Sequence, residues 1–333
     1  MKYSILLPVK NGDVYIKECV RSILSQTYTD FNFIVLDNCS TDGTLQWIES
    51  IEDQRIKIIP ASSPLSIEEN WGRIVTVEKN EFITIIGHDD ILNADFLQTI
   101  DEMVQLYPEA SLYHTHFNLI DAKGNLIRKS KAMNSLYSGS EFLQAFLTSS
   151  IDSMGTGYVM RSKDYDNIGG IPKKYPNLLF ADFELWTELA NKSFAAISLK
   201  NCFSFRVHQS ATGTSADEKI QKAFFIFGDY LAALKARDQK MAEIIGKYGG
   251  IFLLHYCKAY AHRMLRTPLK KRQGVTVKSL VEKTKELSYK LGASSTYHPE
   301  KKSSLQLAMR IDNNFILRNL FLLFKKIYSK PIL

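Results

Sequence analysis

Four short apolar runs, each closed by turn-forming or polar residues and followed by a segment with helical spacing, constrain this chain more than any other feature. Residues 3–9 end at Lys10-Asn11-Gly12, after which residues 14–26 set Ile16, Val20, Ile23 and Leu24 on one helical face. Residues 32–36 stop at Asp37, ahead of a helix over 42–51 for which Ser40 or Thr41 serves as cap. Residues 56–59 and 82–86 repeat the pattern, separated by a helix around 67–78. Continuously apolar strands joined by helices are buried on both faces, which predicts an α/β fold: a Rossmann-like, mostly parallel central sheet flanked by helices. Ligands of such sheets lie beyond the carboxyl ends of the strands. The residues there are Lys10-Asn11-Gly12, Asp37-Asn38 and Gly87-His88-Asp89-Asp90. No GxGxxG follows the first strand and no GxxxxGK[ST] occurs, which argues against a dinucleotide-dependent dehydrogenase and a P-loop NTPase.

Composition narrows the class further. With 45% hydrophobic and 23% charged residues and nine prolines in 333, the chain is neither disordered, collagen-like nor a polytopic membrane protein. Cysteines 19, 39, 202 and 257 form no CxxC pair, so no disulfide framework or structural zinc site is expected. The apolar run at the start is too short for a signal-peptide core, which predicts a cytoplasmic location.

Charge divides the chain. Residues 1–218 carry 19 Lys and Arg against 28 Asp and Glu, whereas residues 219–333 carry 23 against 7. The boundary coincides with a change of pattern: residues 1–215 read as the α/β domain and 216–333 as a basic helical region, with helical stretches at 216–236, 241–265, 275–291 and 304–328. Lys270-Lys271-Arg272, Lys301-Lys302 and Lys325-Lys326 alternate with apolar helices. That arrangement suits peripheral contact with the anionic inner face of a membrane, and equally the solvated faces of a bundle or a homo-oligomer interface. Nucleic acid is not the expected partner, because aromatic residues are not interleaved with the cations.

Asp89 and Asp90, with His88 beside them, form an oxygen-rich cluster suited to Mg²⁺ or Mn²⁺ holding a diphosphate; an Asp-Asp pair there serves equally as a helix cap. Asp37 can accept the N3–H of a uracil ring, and the run from Asp37 to Thr44 also has the character of a plain helix opening.

In order and spacing, Ser4-Ile5-Leu6-Leu7-Pro8-Val9-Lys10-Asn11-Gly12, Asp37-Asn38-Cys39-Ser40-Thr41-Asp42-Gly43-Thr44 and Gly87-His88-Asp89-Asp90-Ile91-Leu92 resemble the family-two inverting glycosyltransferases of the A-type, nucleotide-diphospho-sugar transferase fold. The likeness continues through Met154-Gly155-Thr156-Gly157, Arg161, Ile168-Gly169-Gly170, Ala181-Asp182-Phe183-Glu184-Leu185-Trp186 and Phe205-Arg206-Val207-His208, and covers residues 3–215.

The resemblance implies roles position by position. Pro8, Val9, Asn11 and Asp37 would hold the nucleobase end of a nucleotide-sugar donor, with Asn70 and Arg73 lining the same cleft. Asp89 and Asp90 would bind the divalent cation and the donor diphosphate beside His88, and Arg206 and His208 would close over it, His208 as a third metal ligand or a phosphate donor. Asp182 would be the catalytic base, with Gly155, Thr156, Gly157 and Trp186 bordering the acceptor. The implied activity is inverting transfer of a sugar, from a UDP-sugar by expectation, to a hydroxyl of a surface glycan or lipid-linked glycan. Gly87 and Ala181 stand where acids are usual in the family, and this keeps open the alternative of an impaired sugar-nucleotide or glycan-binding protein.

Overall fold

A computed structural model describes residues 1–12, 14–208, 215–272, 274–295 and 297–328. It divides into two compact units, one of Met1–Phe142, Ile151–Lys174 and Ala181–Gln209, the other of Leu143–Ser150, Tyr175–Phe180 and Ser210–Leu333.

The first unit is built on a twisted ten-stranded sheet. Strand β1 (Tyr3–Val9) is flanked in parallel by β2 (Phe31–Asp37) and by β4 (Phe82–Ile85), and β3 (Ile56–Ile58) continues the sheet beyond β2. All seven residues of β1 are buried, which is why the run lacks the alternation of a half-exposed strand. Helices α1 (Ile16–Leu24), α2 (Thr44–Glu49) and α3 (Ile67–Gly72) supply the crossovers. The helix expected around 67–78 is shorter than its pattern: α3 gives way to a 3₁₀ turn over Arg73–Thr76.

Beyond β4 the sheet becomes mixed. Strand β9 (Val159–Arg161) runs antiparallel between β4 and β6 (Leu112–Ile120), while β6 is parallel to β10 (Phe194–Arg206), which takes β5 (Ile91–Leu92) antiparallel on its far side. Strands β7 (Leu126–Lys129) and β8 (Leu136–Ser138) attach to β6 and β10, and α4 (Phe96–Leu106), α5 (Gly139–Leu147), α6 (Ser162–Asn167) and α7 (Ala181–Lys192) complete the connections. The architecture is a mixed α/β sheet flanked by helices. Two features position chemistry. The register of β1 on β2 sets Val9 beside Asp37, and β10 carries Arg206 at its end, level with Ile120 of β6.

The second unit contains α8 (Asp217–Arg237), α9 (Gln239–Arg266), α10 (Val277–Leu291), α11 (Ser303–Asn313) and α12 (Phe315–Ile327). Its core includes Cys257, Leu265, Val277, Leu280 and Leu305. Rings of Phe180, Phe224, Phe227, Phe252 and Tyr256 pack in a second cluster. The stretch 304–328, continuous by pattern, is two helices. Asn314 adopts an extended conformation and its side chain accepts the Leu317 N–H at 3.0 Å, capping a new helix. Among the described residues no helix is long and apolar enough to cross a membrane.

Candidate active site

The ends of β2, β1 and β4 place two groups of side chains along one edge of the sheet. At β2 the loops after both strands are tied together. Asn11 donates its backbone N–H to Ser40 Oγ (2.9 Å), and its side-chain oxygen accepts the Thr41 N–H (2.8 Å). Gly12 N–H reaches Thr44 Oγ1 and Asn38 N–H reaches Val9 O, each at 2.9 Å. Asn11 sits at φ 54°, a left-handed conformation that asparagine tolerates better than most side chains.

Asp37 is 1% exposed; its Oδ2 accepts the Ser40 N–H at 3.2 Å, while Oδ1 is buried with no hydrogen-bond partner. A buried carboxylate oxygen in that state carries a desolvation penalty of about 1–3 kcal/mol, which a donor from a ligand would relieve. Asn70 and Arg73 are spent on main chain. Asn70 donates to Leu36 O (3.2 Å), and Arg73 to Ile59 O (2.7 Å), Pro60 O (3.2 Å), Asp37 O (3.3 Å) and Asn70 Oδ1 (3.0 Å). Together they frame the strand ends around Asp37.

At β4 the arrangement is closed. His208 Nε2 and Asp89 Oδ2 are 2.6 Å apart. Asp90, 2% exposed, accepts the Arg206 backbone N–H through Oδ1 at 2.9 Å; burial, and after it the neighbouring Asp89 charge, push its carboxyl up to about 8. The Arg206 guanidinium donates to Asp89 O (2.8 Å), Asp121 O (3.2 Å) and Glu18 Oε2 (2.6 Å), and lies over the Tyr15 ring at 4.6 Å. Tyr15 also packs against the His208 ring, 5.1 Å between centroids. Gly87 fits this closure: a Cβ there would stand 2.7 Å from Asp89 Oδ1, so an acid at 87 requires the Asp89 carboxylate to move.

The loop before β9 links this cluster to Asp182. Thr156 Oγ1 accepts the Gly87 N–H (3.3 Å) and lies beside the Asp90 carboxyl group. One residue earlier, a Cβ on Gly155 would lie 3.8 Å from Asp182 Oδ2, so the loop backbone runs beside that carboxylate. Asp182 stands in the first turn of α7, half-buried, with Oδ1 accepting the Phe183 N–H at 3.0 Å. Desolvation outweighs that bond and pushes its carboxyl up to about 7.

Behind the loop, Trp186 Nε1 donates to Met154 O (3.0 Å) and its ring stacks on Tyr158 at 4.4 Å, which in turn stacks on His114 at 3.8 Å. His114 Nδ1 is 2.8 Å from Gly157 O, and burial holds the imidazole down to about 3, so it is neutral and donates that bond. Gly157 has φ 83°, and a Cβ there would come within 2.4 Å of the Phe203 ring; both facts require glycine.

The structure therefore gathers Asn11 and Asp37 in one group, framed by Asn70 and Arg73. Asp89, Asp90, Arg206, His208, Thr156, Gly155 and Asp182 form the other. Tyr15, Glu18, His114 and Tyr158 were not singled out by sequence. Glu18 and Arg206 are 188 residues apart, and no spacing rule connects them. Of Asp89, Asp90 and His208, the three side chains expected to hold a divalent cation, Asp89 and His208 meet, while Asp90 Oδ1 is taken by the Arg206 N–H; among the described residues no three His, Cys, Asp or Glu side chains cluster as metal ligands. Two protein ligands fit a cation that takes its remaining oxygens from a diphosphate and water.

Comparison with known proteins follows this geometry. Residues 4–169 match the family model described as Glycosyl transferase family 2. Glycosyltransferase GlyG of Streptococcus pneumoniae serotype 4 is 27% identical over 124 residues, 37% of this chain and 41% of GlyG, so this chain spans less than half the length of that relative. TuaG of Bacillus subtilis, assigned to teichuronic acid biosynthesis, is 24% identical over 238 residues, 67% of this chain and 86% of TuaG. The crystal structure of Staphylococcus aureus TarS 1–349 in complex with UDP-GlcNAc is similar with a TM-score of 0.60 and 15% identity, covering 93% of this chain and 91% of that one; likeness at that identity is one of fold. Through the domain at residues 4–169 and the architecture built on it, the chain belongs to the family-two glycosyltransferases of the A-type fold.

Proposed function

We propose that the chain is an inverting glycosyltransferase that moves a sugar from a nucleoside-diphosphate donor, a UDP-sugar, to a hydroxyl of a cell-surface glycan. The observation that carries this reading is the Gly155-Thr156 loop, which runs beside the Asp182 carboxylate at one end and at the other accepts the Gly87 N–H next to the Asp90 carboxyl group. A base and a diphosphate-binding cluster held on one short loop are what single displacement at an anomeric carbon needs.

The steps follow from the side chains. The unpartnered Oδ1 of Asp37 accepts the N3–H of the uracil. Asp89 and His208 are the residues that would hold a divalent cation, Mn²⁺ or Mg²⁺, which when bound offsets the charge of the leaving diphosphate. Asp182 accepts the proton of the acceptor hydroxyl as that oxygen bonds to the anomeric carbon. The bond from that carbon to the diphosphate oxygen breaks in the same displacement, and its electron pair leaves with the nucleoside diphosphate. Attack from the face opposite the leaving group inverts the centre. Arg206 is a positioning residue in this scheme, because its guanidinium is committed to Glu18 and to main-chain oxygens. The names of TuaG and of S. aureus TarS, a poly(ribitol-phosphate) β-N-acetylglucosaminyltransferase, support a cell-surface acceptor.

The test is release of nucleoside diphosphate from UDP-, GDP- and dTDP-sugars, with and without Mn²⁺, by the intact chain and by Asp182→Asn. Release from the UDP-sugar class, lost in the variant while nucleotide still binds, supports the reading. Binding without any release in the presence of a glycan acceptor would instead establish a sugar-nucleotide-binding protein, and absence of both would overturn the nucleotide site itself.

A further inference from the structure

Helix α12 is inside out. Its buried residue is Arg318, 4% exposed, whose guanidinium is held by Asp312 at 3.1 Å and by Thr267 O. Its exposed apolar residues are Phe315, Ile316, Leu317, Leu320, Leu323, Phe324 and Ile327, from 41% exposed at Leu317 to 76% at Phe315. Ile316, Leu320, Leu323 and Ile327 recur at steps of four, three and four, so they form one continuous stripe. Asp312 also bonds Arg272 (2.5 Å) and the Val277 N–H (2.8 Å), so the arginine that turns the stripe outward is anchored in the packed part of the unit.

Charge identifies what the stripe meets. Residues 313–328 contain no Asp or Glu, and the last turn carries Lys325 and Lys326. Clefts beside the helix are lined by Lys258 and Lys325, and by Arg266 and Lys326. A two-fold contact between copies of this face would set these cations against one another. An anionic phospholipid surface neutralises them and takes up the apolar side chains. At about 1.5 Å per residue the thirteen-residue helix is roughly 20 Å long, short of a bilayer core of about 30 Å, so it lies in the interface plane. We infer that α12 is an in-plane membrane anchor, its Ile316–Leu320–Leu323–Ile327 stripe entering the headgroup boundary of an anionic membrane with Lys325 and Lys326 at the phosphates.

The experiment is co-sedimentation of the full chain with phosphatidylcholine vesicles, with and without roughly 30 mol% phosphatidylglycerol. Expected are pelleting with the anionic vesicles that weakens with salt, and little with the neutral ones. Leu320→Glu with Leu323→Glu should lower partitioning at least about tenfold, and Lys325→Glu with Lys326→Glu by a similar factor. Both pairs are on the surface, and circular dichroism checks that each variant is folded. Equal binding to neutral vesicles would overturn the anionic preference. No binding to either vesicle would overturn the anchor, as would a dimer in analytical ultracentrifugation that the Leu320/Leu323 variant dissociates, which would mean that a second copy covers the stripe. Vesicle binding is read without donor turnover, so this proposal and the glycosyltransferase reading fail separately.

Discussion

The two halves of the sheet edge are prepared differently. Around Asp37 the scaffold is rigid and one acceptor oxygen is left unpaired: Asn70, Arg73, Asn11 and Ser40 hold the loops while Oδ1 has no partner. Around Asp89 and Asp90 the side chains are already partnered: Asp89 with His208, Arg206 with Glu18, and Asp90 with the Arg206 backbone N–H. On the proposed function, the first side would take a neutral, planar hydrogen-bond donor with no internal bond to give up. The second must exchange internal pairs for ligand contacts, so its affinity is a difference between two sets of charged interactions.

Four measurements sharpen or break that contrast. Asp182 borders the paired side yet contacts no part of it except the loop, so Asp182→Asn should reduce transfer by about a thousandfold with nucleotide affinity unchanged in calorimetry. Arg206→Ala removes the central cation of the paired side. It should cost about 3 kcal/mol of folding stability, read as a lower midpoint in denaturant unfolding, because the main-chain oxygens of Asp89 and Asp121 and the Glu18 carboxylate lose their donor, while the backbone N–H to Asp90 is kept. Asp37→Ala should do the reverse. Nucleotide binding weakens by about ten- to a hundredfold, and the melting temperature changes little, since removal of the buried unpaired Oδ1 offsets loss of the bond from the Ser40 N–H to Oδ2. If Asp37→Ala unfolds the chain while Arg206→Ala leaves it intact, the contrast is inverted. The smallest effect is in pH. Asp182 must be ionised to accept a proton and burial raises its carboxyl to about 7, so turnover should climb about tenfold per unit below pH 7 and level off above it. A profile flat through pH 7 would remove Asp182 from the proton transfer.

The parallel strands and the loops at their ends were legible in sequence because continuous burial leaves an unbroken apolar run, and loops that follow such strands carry the chemistry. Asp37, Asp89 and Asp90, the residues proposed for the donor side, were reachable by that logic. Asp182 was reachable only through the order of several motifs, since a lone aspartate opening a helix has no local signature. The Glu18–Arg206 pair was not reachable, because it joins α1 to the end of β10 through the sheet. The mixed part of the sheet was hidden because β5, β7, β8 and β9 are two to four residues long, too short for any period to register. The break at Asn314 was overlooked because a capping asparagine between two apolar stretches leaves the spacing almost unchanged.

The stack of Trp186, Tyr158 and His114 has an optical consequence. The chain has three tryptophans, and Trp186 alone among them has its indole nitrogen bonded to the carbonyl of Met154, at the root of the loop that runs past Asp182. Movement of that loop changes the polarity and the ring overlap around one indole. Its emission therefore reports loop position without any label, and with Trp47 and Trp71 replaced by phenylalanine the chain becomes its own stopped-flow probe of ligand arrival at that loop.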